Sequence, residues 1–263
     1  MISTFPLQTR ATPFSSKVLQ RQDEWKNLDP AAYAYHLHQW DDQKWSTHLF
    51  ADFVADLGSN SHEIVDLGCA AGAATFCLAQ RCPAANFVGV DYSAELIGLA
   101  NKLAEGKQTP NLSFTTGDWF NLNCRGGVDG VVSLQTLSWL PEFERPLQEI
   151  CQKLNLMWVA VSSLFYGGDI SCTIEVNEHS RERKSFYNVY LSPAVMWHAG
   201  EFGFQATRKI KFVTDIDVAK PENIDLMGTH TVLAKSGAGA MDERLQISGP
   251  LLLNWYFLLI ERV

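Results

Sequence analysis

The chain has 263 residues, 46% hydrophobic and 19% charged, which suffices to bury one full α/β core and leaves little for a second independent domain. With Lys+Arg 21 against Asp+Glu 29 the formal charge is -8. The repulsion from that surplus argues against polyanionic partners, whether nucleic acid or acidic lipid surfaces, and for small or uncharged ones.

Residues 1 to about 30 carry Pro6, Pro13 and Pro30 and read as an irregular arm, without the basic-then-apolar pattern of a secretory signal. From Ala31 to Leu57, the apolar Leu37, Trp45, Leu49, Phe50, Phe53, Val54 and Leu57 recur at helical spacing. They predict one or two amphipathic helices ending at Gly58, with Trp45 in the core. Tyr33, Tyr35 and Trp40 on the same stretch could form an aromatic wall or pack inside.

An alternation follows. HEIVDL, NFVGVD, LSFTTG, GVDGVVSLQ and LMWVAVSSLF have the Val, Ile and Phe content of strands, and GAATFCLAQR, SAELIGLANKLAE and RPLQEICQKL that of helices. Such βαβ units predict a mostly parallel sheet covered on both faces, a doubly wound α/β fold. DISCTIEV and SFYNVYL then read as extra strands before a helix around SPAVMWHAGEF, an insertion at about 166–191 able to serve as a lid. TRKIKFV, THTVLA, RLQIS and NWYFLLIERV read as closing antiparallel strands of the sheet with one or two additions. The longest apolar stretch, LLLNWYFLLI, is too short to span a bilayer and contains Asn254.

Six cysteines, Cys69, Cys77, Cys82, Cys124, Cys151 and Cys172, form no C-x-x-C pair and several sit in apolar runs. That usage fits reduced thiols in a cytoplasmic compartment. No His, Cys or carboxylate cluster has the spacing of a metal site.

The chemistry gathers where strands end. Ile64-Val65-Asp66-Leu67-Gly68-Cys69-Ala70-Ala71-Gly72 runs from a buried strand through small residues into a helix. Such a turn brings backbone close to a ligand and aims helix N–H groups at it, although tight helix–sheet packing alone would also use glycines here. Asp91 ends the second strand, placed to accept from two ribose hydroxyls, or to serve the dipole of a helix capped by Ser93. Gly117-Asp118-Trp119 delivers a carboxylate and an aromatic ring at the third strand's end, for an adenine amine and ring face or for a turn and the core. Ser133, Leu134 and Gln135 would line the crevice after the fourth strand, while Leu137, Trp139 and Leu140 pack.

In order and spacing these four segments, DLGCAAG, VGVDYS, GDW and VVSLQTLSWL, resemble the motifs of class I S-adenosylmethionine-dependent methyltransferases of the small-molecule type. The resemblance covers roughly residues 60 to 165. It implies a seven-stranded Rossmann-like sheet with an N-terminal helical cap at 1–57, a core at 58–263 and extra strands in the C-terminal half, in one structural domain. It also implies S-adenosylmethionine as cofactor. Asp66, Gly68, Cys69, Ala70 and Gly72 would lie on the methionine part, Asp91 on the ribose, Tyr92, Gly117, Asp118 and Trp119 on the adenine, and Leu134 or Gln135 at the amino-acid end. Ala70 departs from the family, which has glycine there; its methyl is tolerable at negative φ and costly at positive φ.

The implied reaction moves a methyl group in line from the sulfonium to an oxygen or nitrogen of a small acceptor. An alcohol acceptor would need a general base. His36, His38, His179, His198 and His230 are available, and the first two interest us most because N-terminal helices of this family often roof the site. Glu175, Arg181, Arg183, Tyr187 and Tyr190 in the insertion are possible acceptor contacts. The rival readings are a non-catalytic binding protein, suggested by Ala70, and a nicotinamide oxidoreductase, opposed by Ala70 and Ala73 where its fingerprint needs glycine. A monomer or homodimer with no nucleic-acid or membrane partner completes the expectation.

Overall fold

The computed structural model describes residues 30–122, 127–179, 183–222, 228–235 and 242–263. The N-terminal arm, Cys124 and Arg181 lie outside them. The continuous apolar runs form strands β1 (Glu63–Leu67), β2 (Asn86–Asp91), β3 (Leu112–Thr116), β4 (Gly130–Leu134) and β5 (Trp158–Tyr166). β1, β4 and β5 are buried on both sides because helices cover both faces, whereas β3 at the sheet's edge is largely exposed. These strands pair in parallel in the order β3-β2-β1-β4-β5. The last strand, β12 (Trp255–Arg262), lies antiparallel between β5 and β8 (Phe204–Lys211), completing a seven-strand path.

Helices α1 (Pro30–Asp41), α2 (Trp45–Ser59), α3 (Ala73–Arg81) and α4 (Ala94–Glu105) precede the fourth strand, and α5 (Glu144–Lys153) and α6 (Ser192–Gly200) follow it. One core gathers Phe50, Phe53 and Val54 of α2 with Cys77 and Leu78 of α3 over Phe87, Trp158, Ala160 and Phe257. The opposite face buries Leu147 and Ile150 of α5 and Val195 of α6 against Val131, Val159 and Val161. Both faces are thus sealed, and strand ends remain as the place where polar groups can meet a ligand.

Several expectations are corrected. Gly58 does not stop α2, which runs on to Ser59; a Cβ there would come within 2.5 Å of the Cys82 sulfur, so glycine serves a close helix approach. Trp45 is 42% exposed at the start of α2, while Trp40 is the buried tryptophan at 3%. The helical break between α1 and α2 shifts the phase, so one stripe drawn across both misplaces Trp45. THTVLA and RLQIS do not join the main sheet: β9 (Thr229–Ala234), β10 (Glu243–Ser248) and β11 (Leu251–Leu252) make a separate antiparallel sheet.

The insertion is a hairpin of β6 (Cys172–Glu178) and β7 (Arg183–Leu191), whose end pairs with the end of β5 through Phe165 and Tyr190. It is docked on the turn after β4. The Leu140 carbonyl accepts from Asn188 Nδ2 and from the Tyr190 hydroxyl, each at 2.6 Å, and Trp139 meets the Tyr187 ring at 4.2 Å.

Candidate functional site

The carboxyl ends of β1, β2, β3 and β4 place the sequence-predicted residues along one edge of the sheet. Between β1 and α3 the chain makes a tight turn, with Gly72 N–H donating to Cys69 O at 2.9 Å. Gly68 and Gly72 have φ of +75 and +84. Side chains are excluded there: a Cβ on Gly68 would meet Thr136 at 2.3 Å, and one on Gly72 would meet Phe114 at 2.4 Å. Ala70 also lies in the left-handed region, at φ +49, the costly geometry, worth about 1 kcal/mol of strain. It persists because surrounding bonds hold it.

Those bonds converge from several elements. Asp91 Oδ2 accepts the Ala70 N–H and Oδ1 accepts the Ser93 N–H, each at 2.9 Å. Thr136 Oγ1 donates to Gly68 O at 3.0 Å. Trp40 Nε1 donates to Ala71 O at 2.7 Å, with its ring stacked on Phe76. Ser93 caps α4 as expected, its hydroxyl accepting from Leu96 N–H. The first N–H groups of α3 have no intrahelical acceptors and face the same turn.

Electrostatics divide the two buried acids. Burial pushes the Asp66 carboxyl up to about 7, against the Thr75 hydroxyl bond that lowers it and with the Asp91 charge that raises it further. Burial also raises Asp91, while N–H donors from Ser93, Ala70 and Tyr92 hold it down. Asp66 is 1% exposed and accepts from Thr75 Oγ1 at 2.6 Å, so it braces α3 from below rather than facing a ligand. Cys69 is buried as well, and its thiol is pushed up by burial and by Asp66 and Asp91.

Around this centre, Tyr92, Gly117, Asp118, Leu134 and Gln135 are partly open at the edge. Asp118 uses Oδ1 to accept from Phe120 N–H at 3.0 Å. Gln135 adopts φ +63, a second strained residue beside the turn. Trp119 departs from its expected place: it is buried in the core with Leu137, Phe143 and Leu147. Ser133 departs too, fully buried with its hydroxyl donating to Leu67 O at 2.8 Å. Ser133 turns inward because neighbouring strand residues alternate faces, and Trp119, in the turn three residues beyond β3, folds back onto the core of α5.

The histidines separate by environment. His36 is buried on α1, and burial, then the Lys44 charge, lowers its pKa. His38 is exposed and 3.4 Å from Asp42. His198 is tied to Glu201 and to the Glu144 carbonyl between α6 and α5. His230 lies in the small separate sheet, and His179 at the exposed end of the β6 strand. Thr75 and Thr136 escaped the sequence reading; their hydroxyls brace the turn, and no spacing rule marks them.

Residues 59–198 match a protein family described as a methyltransferase domain. The chain is 39% identical over 93 residues to the trans-aconitate 2-methyltransferase of Deinococcus radiodurans, covering 35% of this chain and 34% of that protein. It is 30% identical over 123 residues to the trans-aconitate 2-methyltransferase of Azoarcus sp., covering 44% and 47%. The matched stretches thus span less than half the length of either relative. Among solved structures, magnesium protoporphyrin IX methyltransferase from Synechocystis with bound SAH superposes with a TM-score of 0.54 over 90% of this chain and 89% of that one, at 14% identity. That likeness is one of fold.

Proposed function

The chain belongs to the methyltransferase-domain family, and from that premise we propose that it transfers a methyl group from S-adenosylmethionine to an oxygen or nitrogen of a small-molecule acceptor. The observation that carries the proposal is the bond between the Ala70 N–H and the Asp91 carboxylate at 2.9 Å. It sets the glycine-rich turn and the acid of the second strand side by side, the separation a nucleoside with an amino-acid tail demands. The donor set fits that cofactor. Asp91 already accepts three backbone N–H groups, and with about four acceptor sites on a carboxylate it keeps one for a ribose hydroxyl. Asp118 would accept from the adenine amine, Tyr92 and Gly117 would flank the ring, and the turn from Gly68 to Gly72 with Leu134 or Gln135 would hold the methionine part.

When bound, S-adenosylmethionine supplies an activated methyl on a sulfonium, whose loss leaves a neutral thioether, so no acid is needed for the leaving group. The protein's work is then to hold the acceptor in line and exclude water. His36, kept neutral by burial, would take the proton of a hydroxyl acceptor. The docked hairpin at 166–191 would wall the acceptor side, within one domain made of a cap at 1–57 and a core at 58–263. A monomer or homodimer in the cytoplasm, without nucleic-acid or membrane partners, accompanies the proposal. Among the described residues no helix is long and apolar enough to cross a membrane, and Cys69, Cys77, Cys82, Cys151 and Cys172 are free thiols.

Calorimetric titration with S-adenosylmethionine and, separately, NADH tests the proposal. Binding of the first alone, followed by methyl transfer to an acceptor panel that starts from small carboxylic acids such as trans-aconitate, supports it. Binding of NADH alone would replace it with the oxidoreductase reading.

A further inference from the structure

Trp40 lies outside residues 59–198, the stretch that matches the family, yet it bonds to the turn that would hold the cofactor. Its indole Nε1–H donates to the Ala71 carbonyl at 2.7 Å, with both groups buried. The ring is stacked on Phe76 at 4.8 Å and meets Phe114 edge-on at 6.3 Å. Those two rings fix the plane of the indole and leave its N–H one direction in which to donate.

The carbonyl it holds belongs to the peptide between Ala71 and Gly72. Because that peptide is planar and trans, its N–H points the other way; this is the N–H that closes the turn on Cys69 O at 2.9 Å. The residue before it, Ala70, stands at φ +49, where glycine rests easily and a residue with a Cβ does not. Leu37, one helical turn before Trp40, packs on the same cluster of Ala71, Leu96 and Leu99 as Ala70 does. Helix α1 therefore reaches both the apolar cluster on which Ala70 packs and the peptide that follows Ala71.

We propose that Trp40 is a positioning residue for the cofactor: its indole N–H locks the peptide between Ala71 and Gly72 and so keeps the Ala70 turn in the shape that presents the start of α3 to the methionine part of S-adenosylmethionine. The proposal rests on the cofactor reading above. It assigns α1 to the cofactor site and explains how the chain dispenses with a glycine at position 70. Without the indole bond the peptide keeps only the Gly72 N–H bond to Cys69 O, and the turn around Ala70 opens more readily. With glycine at 70, the turn keeps its shape unaided.

The test uses the full chain as wild type, Trp40→Phe, Ala70→Gly and the double variant. Trp40→Phe keeps an aromatic ring on Phe76 and removes the N–H with part of the indole's volume, and recovery by Ala70→Gly, which restores no packing there, separates the bond from the volume. Hydrogen exchange of residues 68–76 in the free protein and calorimetric affinity for S-adenosylmethionine are measured for each. The expected result is faster exchange and about five-fold weaker binding in Trp40→Phe, with the double variant returning to within about two-fold of Ala70→Gly alone. Unchanged exchange in Trp40→Phe, or a loss that Ala70→Gly fails to recover, overturns the proposal and leaves Trp40 as packing. A wild type that binds no S-adenosylmethionine overturns the cofactor reading instead, and the exchange data then still decide whether Trp40 holds the turn.

Discussion

Asp91 and Ala70 are joined by a hydrogen bond of 2.9 Å in which the carboxylate of β2 accepts the N–H of the turn after β1. One carboxylate thereby shapes the turn and remains available to a ribose. Asp91→Ala removes both roles, and the expected loss of S-adenosylmethionine affinity is at least about 10-fold, one charge-assisted bond at about 1.5 kcal/mol with the loosened turn added to it. Calorimetry reads it directly; affinity within a few-fold of wild type would show that Asp91 does not touch the cofactor.

Asp66 should make stability depend on pH. Its folded pKa of about 7 exceeds the unfolded value of about 3.9, so between those values the folded state binds more protons. Its share of stability is therefore full below about pH 4 and is lost as pH rises to about 7, by at most about 4 kcal/mol. Asp66→Asn keeps an acceptor for Thr75 and removes the charge. Melting temperatures from pH 4 to 8 should show the variant gaining on wild type as pH rises, and a constant difference would contradict the assignment.

Two glycines should respond oppositely to alanine. At Gly72, φ is +84 and a Cβ would sit 2.4 Å from the Phe114 ring, so Gly72→Ala should cost about 2 to 4 kcal/mol. Gly98, inside α4, has nothing within 4 Å of its Cβ position. Gly98→Ala should add about 0.5 to 1 kcal/mol through helix propensity. Chemical denaturation of both variants decides the pair.

The hairpin should open when its latch is removed. Tyr190→Phe deletes one of two bonds to the Leu140 carbonyl, at about 1 kcal/mol. Adding Asn188→Ala leaves that carbonyl without either donor. Hydrogen exchange over residues 183–191 should quicken stepwise in the two variants, and no change in the double variant would mean that the hairpin is held elsewhere.

The sequence by itself determined the alternation of strands and helices, the parallel sheet with its antiparallel closing strand, and the edge on which the site lies. It did so because local periodicity reports which faces are buried and because the Gly68–Gly72, Asp91 and Asp118 segments each follow a strand. Only the tertiary structure decided what each side chain does there. Trp119 folds back from the turn after β3 and Ser133 faces inward from β4, Asp66 turns beneath the helix it braces, and Trp45, expected in the core, is exposed while Trp40 is buried because α1 and α2 meet at a break that no single helical stripe can follow. The positive φ at Ala70 was likewise invisible: the bonds around it come from Asp91, 21 residues away, and from Trp40, 31 residues from the Ala71 carbonyl it holds. Periodicity records the neighbours of a residue along the chain, and these bonds are made across it.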